Sequence, residues 1–127
     1  MSSPPDPTAP IDTAPTLNVD QGRAFFGGSE EVHHRALGQF ADLYSPGVRG
    51  ARDYTAHATS ASALALRREL HSIAGAAAAI GAGSIATQAG ELGDALTRDP
   101  SAPACATLLF ALENALAALV RAIQQAR

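Results

Sequence analysis

The chain has 127 residues, 46% apolar and 5% aromatic, with no tryptophan and a formal charge of −3. That length accommodates one domain with a core and excludes two. The nine basic residues are scattered rather than gathered into a stripe, which argues against nucleic-acid binding, and the single Cys105 excludes a disulfide framework and a cysteine metal site.

Residues 1–16 hold Pro4, Pro5, Pro7, Pro10 and Pro15 among Ser, Thr and Asp. Such a segment buries too little surface to offset its ordering and reads as a flexible linker or tail, either the remnant of a tether to a larger protein or an ordinary terminus. No basic region followed by an apolar run opens the chain, so a signal peptide is not expected and the cytoplasm is the expected compartment. The folded domain is assigned to residues 17–127.

A short first helix is predicted from Asn18 or Asp20 to the Gly27-Gly28 pair, with Phe25 and Phe26 facing the bundle. Ser29 reads as the N-cap of a second helix, with Glu30 and Glu31 complementing its dipole and Val32, Ala36, Phe40 and Leu43 as its apolar face through Tyr44. Ser45-Pro46-Gly47 must end or kink that helix, with a helical continuation over residues 48–57. The third helix should start near Ser60 or Ser62 and stop at Gly81, with Leu66, Leu70, Ile73, Ala77 and Ile80 as its core stripe.

Residues 72–90 carry no charge and are long enough in principle to span a bilayer. Their content of Ala, Gly and Ser, broken by Gly81 and Gly83, gains little from lipid and reads as two packed soluble helices. Ser84 is expected to cap the fourth helix, with Ile85, Ala89, Leu92 and Leu96 inward and Asp99-Pro100 as its end. A fifth helix over residues 103–125 carries Leu108, Leu112, Leu116, Leu119 and Ile123, and Cys105 is expected to be a buried, inert thiol. Short links between long helices favour antiparallel neighbours. The expected fold is all-α, an up-and-down antiparallel four-helix bundle with an additional short N-terminal helix.

His71 follows the core residue Leu70 and so stands about 100° around the helix from the stripe, open to solvent. Its neighbours at three and four residues are Arg67, Arg68, Ala74 and Gly75, with Ala78 one turn further. Beyond the ring this strip is nearly bare, a clearing in which another protein's surface can reach the imidazole. Leu64 extends the same surface. His33 and His34 are adjacent and point to different faces, and His57 has no acidic or cysteine companion, so no metal site is expected from them. Glu30, Glu31, Asp42, Glu91 and Asp94 read as solvated helix faces or caps.

The segment His71-Ser72-Ile73-Ala74-Gly75-Ala76-Ala77-Ala78-Ala79-Ile80-Gly81-Ala82 resembles the signature of histidine-containing phosphotransfer (HPt) domains: His-x-apolar-Lys-Gly, a run of small residues, then apolar-Gly-Ala. The resemblance extends to Phe-x-Gly-Gly-Ser-Glu-Glu over residues 25–31, to Phe40, Pro46, Ile85 and Leu92, and covers roughly residues 17–125. Two positions depart from it: Ala74 stands where members usually carry lysine, and Gly93 where many carry an acid or glutamine near the imidazole.

The resemblance implies a phosphorelay carrier in two-component signalling. His71 would take a phosphoryl group from one receiver-domain aspartate and yield it to another, with Arg67 and Arg68 supplying the positive charge that Ala74 lacks. It further implies that the partner receiver supplies magnesium, that the domain itself binds no cofactor and has no autokinase activity, and that the chain is a monomeric carrier or the cytoplasmic end of a hybrid sensor kinase. The alternative is a pseudo-phosphotransfer adaptor that keeps the docking face without carrying phosphate. An unrelated bundle enzyme lacks a second catalytic group in this sequence.

Overall fold

Alanine-rich segments with few β-branched residues favour helix, and side-chain caps set where each helix begins. The structure, a computed structural model that describes residues 17–126, is all-α, with six helices and no strand among the described residues. They are α1 (Val19–Phe25), α2 (Glu30–Tyr44), α3 (Ala51–Ala56), α4 (Ser60–Ile80), α5 (Gly83–Arg98) and α6 (Pro103–Ala126). The tail expected over residues 1–16 lies outside the described residues.

Asn18 caps α1 by accepting from the Gln21 amide (3.0 Å), and Ser29 caps α2 by accepting from that of Val32 (3.2 Å). Thr59 and Ser62 form a reciprocal capping box at the head of α4, and Gly81 ends that helix in the left-handed region at φ +95°. The expected Ser84 cap is not present: α5 begins at Gly83, two residues before the start that cap would set, and its N-cap Ala82 offers no side-chain hydrogen bond.

The four long helices enclose the core, α4 packing on α5, α5 on α6, α6 on α2 and α2 on α4, while α1 and α3 lie against α4. Leu66, Leu70 and Ile73 of α4 meet Ile85, Leu92 and Leu96 of α5 and Leu112 and Leu116 of α6 in the fully buried interior, with Cys105 among them. Each such side chain contributes about 1.5–3 kcal/mol on burial. α6 has the length and mean hydropathy, 1.7, of a membrane span. Its buried face, however, including Leu109, Leu112, Leu116 and Ile123, forms one wall of the bundle core.

Three helices differ in part from expectation, although Leu112, Leu116, Leu119 and Ile123 of the α6 stripe are buried as expected. Phe25 points outward at 67% exposure, and only Phe26 is half-buried. On α2 the buried positions are His33, Phe40, Ala41 and Tyr44, leaving Val32 and Leu43 in solvent. The cause is His33, a polar residue drawn inward by a specific partner. On α6 it is Leu109 that is buried, and Leu108 only partly so.

The inward turn of His33 closes a three-helix junction. Its Nε2–H donates to the Ile80 carbonyl (2.9 Å), one of the orphan acceptors at the end of α4. The Asn18 amide donates to the Gly81 carbonyl (2.7 Å), tying α1 to the same end. Gly22 is buried between them, and a Cβ there would overlap both the Ile80 carbonyl and the His33 ring.

A second anchor lies on the opposite flank. The Glu69 carboxylate of α4 accepts from the amides of Arg49 (2.6 Å) and Gly50 (2.8 Å), holding the start of α3. The Tyr54 hydroxyl of α3 donates to the Pro100 carbonyl, and the Cys105 thiol donates to that of Asp99 (3.4 Å). Burial, followed by Cys105 and Asp99, pushes the Tyr54 phenol from 10 up to about 12.

Two outcomes follow. Gly22→Ala should lower the unfolding free energy in urea by about 1–3 kcal/mol through overpacking at the junction, and an unchanged midpoint would show that the junction yields freely. A phenol raised in the native state stays protonated where the unfolded chain has ionised, so its stabilisation is intact below pH 10 and is lost as the pH rises toward 12. Denaturant melts across that window should show a shallower decline for Tyr54→Phe than for the wild type.

Candidate functional site

The α4 stripe decides where His71 points. Leu70 and Ile73 are buried at 2% and 0% exposure, which fixes the rotation of the helix and leaves the intervening His71 and Ser72 exposed. Among the described residues, no hydrogen bond or ion pair engages the His71 ring. Its neighbour Ser72 turns its hydroxyl back to the Arg68 carbonyl (3.4 Å).

His71 lines a shallow groove of about 340 Å³ between α4 and α5. From α4 come Leu64, Arg67, Arg68 and Ala74; from α5 come Ala89, Gly90, Gly93, Asp94 and Thr97. A Cβ on Gly90 or Gly93 would meet nothing within 4 Å, so the α5 wall is low and the ring is approachable from that side. Thr97 spends its hydroxyl hydrogen on the Gly93 carbonyl (2.9 Å), leaving the groove's ionisable groups as two guanidiniums, one imidazole and one carboxylate.

Of the residues singled out in the sequence, Arg67, Arg68 and Ala74 share the groove with His71, as does Leu64 at 40% exposure. Gly75 and Ala78 are exposed on α4 but lie outside it, continuing the bare strip along the helix. Asp94, read from sequence as a solvated helix face, is exposed and also stands on the groove's α5 wall. Its spacing from Gly90 and Thr97, four and three residues, was the available signal: the three share one face of α5. His34 and His57 are exposed and His33 is buried, and no metal-binding group of three or more His, Cys, Asp or Glu side chains occurs among the described residues.

An imidazole ring nitrogen with a free lone pair is a competent nucleophile, and guanidinium forks one turn away are suited to phosphoryl oxygens. The other polar side chains that line the groove, among the described residues, are Arg67, Arg68, Asp94 and Thr97.

The family model described as Hpt domain matches residues 34–122. No curated protein and no solved structure matches the chain. The matched span runs from α2 into α6 and includes His71, its two arginines and the facing wall of α5.

Brief treatment with diethyl pyrocarbonate, followed by peptide mapping, should modify His71 well before His33. Equal rates at the two rings would contradict the open placement of His71.

Proposed function

The chain belongs to the Hpt domain family, whose members serve phosphotransfer in two-component signalling and interact with receiver domains, and from that premise we propose that His71 carries the phosphoryl group. The observation that supports this most is the pairing of an exposed, unengaged imidazole with Arg67 and Arg68 in one groove.

In the proposed step a His71 ring nitrogen attacks the phosphorus of a receiver's aspartyl phosphate. The N–P bond forms as the P–O bond breaks, and the aspartate leaves as a carboxylate with the bonding pair. The other ring nitrogen keeps its hydrogen, so the product is a phosphoimidazolium that can pass its proton to water. The reverse step charges a second receiver. Because phosphoryl transfer runs through a loose transition state, positioning and charge neutralisation carry the catalysis. Arg67 and Arg68 offer that neutralisation from this side, and magnesium on the receiver offers it from the other.

Ala74 and Gly93 support a slower or more selective carrier, since neither supplies a side chain that reaches the phosphoryl group. The same two positions favour the second reading, an adaptor that docks receivers without accepting phosphate. A cytoplasmic setting, as a free carrier or as part of a hybrid kinase, accords with receiver partners.

To test the proposal, the chain is mixed with each receiver domain of its source organism, charged with radiolabelled acetyl phosphate. At least one receiver should transfer acid-labile, alkali-stable label to the wild type and none to His71→Gln. Arg67→Ala/Arg68→Ala should slow that transfer by about tenfold, corresponding to one lost charge-assisted contact. Label retained by His71→Gln would overturn His71 as the phosphate-carrying residue, and no label on the wild type from any receiver would overturn the carrier reading and leave the adaptor.

A further inference from the structure

On the α5 side of the His71 groove, Asp94 is the one ionisable side chain. It is exposed, it faces a wall bearing Arg67 and Arg68, and no ion pair within 4.0 Å joins it to either among the described residues. Gly90 and Gly93 beside it raise no side chain between its carboxylate and the ring.

We infer that Asp94 sets the direction of transfer, holding down the affinity of His71 for the phosphoryl group so that the group is passed on to the receiver. The inference rests on the carrier reading above and assigns to that site a residue that biases its equilibrium. A phosphoryl group brings nearly two negative charges into the groove. Arg67 and Arg68 attract them and the Asp94 carboxylate repels them. When the phosphoryl group sits on a separate receiver it feels none of this, so the repulsion weighs on only one side of the exchange. In a solvent-exposed groove the effect is modest, on the order of three- to tenfold in the equilibrium constant. Asp94 touches no reacting atom in this account; it acts through the field in the groove.

The test equilibrates the full chain with an equal amount of the receiver that charges it fastest, and reads the ratio of label on the two proteins. Asp94→Glu should keep the wild-type ratio. Asp94→Asn should move it toward phosphohistidine by about three- to tenfold, Asp94→Lys should move it further, and both shifts should shrink as salt is raised. A merely structural role would not order the variants by charge, and urea melts of all three establish that they are folded. Ratios for Asn and Lys within about twofold of wild type, or displaced toward the receiver, would overturn the inference while leaving the carrier reading intact. If the wild type takes no label from any receiver, the carrier reading falls first and the inference with it.

Discussion

The buried stripe of α4 is the constraint on which the site depends. Leu66, Leu70, Ile73, Ala77 and Ile80 all lie at 3% exposure or less, against α5 and the neighbouring helices. Turning α4 by one residue would exchange Leu70 for His71 and carry the other stripe residues toward solvent. For the four leucine and isoleucine side chains that change costs roughly 6–12 kcal/mol. A domain of this kind has only about 5–15 kcal/mol of net stability, so the rotation is closed to the folded protein. His71 is presented outward because its neighbours cannot be.

The ends of α4 are secured by polar contacts that leave the middle of the helix clear. Thr59 and Ser62 close the head, while Gly81, His33 and Asn18 satisfy or cover the tail. Glu69 faces α3, and its carboxylate is committed to two backbone amides there. That removes from the neighbourhood of His71 an acid only two residues away in sequence. Among the described residues, the charged side chains that line the groove with the ring are then Arg67 and Arg68 of α4 and Asp94 of α5. A groove so composed suits a group that must be held and also released.

Much of this was legible from residue spacing. The leucine and isoleucine stripe of α4, its stop at Gly81, the Ser29 cap and the exposure of His71 follow from helical periodicity and capping chemistry, and the structure agrees with them. The turned face of α2 did not follow, because a histidine scores as polar and its partner, the Ile80 carbonyl, lies 47 residues away. Phe25 misled in the opposite sense, since a large aromatic at a helix end need not be covered. Asp94 was legible as a helix-face acid, but its place opposite His71 depends on how α5 lies against α4, which no local pattern encodes. Glu69 as an anchor for α3 was hidden for the same reason. The Hpt signature concentrates in α4, the element whose packing pattern was easiest to read, and the departures at Ala74 and Gly93 lie at half-buried positions lining the His71 groove.

What this chain adds to the shared chemistry is economy of side chains. Beyond the histidine, its groove has two arginines one turn before the ring, alanine at the position where the resemblance places a lysine, glycine where it places a longer polar group, and one carboxylate set beside that glycine. The central claim, that the ring lifted out of the bundle by the α4 stripe is the atom set that bonds to phosphorus, is tested most directly by NMR. Histidine-15N-labelled chain is mixed with a phosphorylated receiver, and one-bond 15N–31P coupling is sought among its four histidines. The account predicts coupling at a single ring nitrogen of His71, with the His33 ring unperturbed in its bond to Ile80. Coupling at any other histidine, or transfer of phosphate with the His71 ring unchanged, would contradict it.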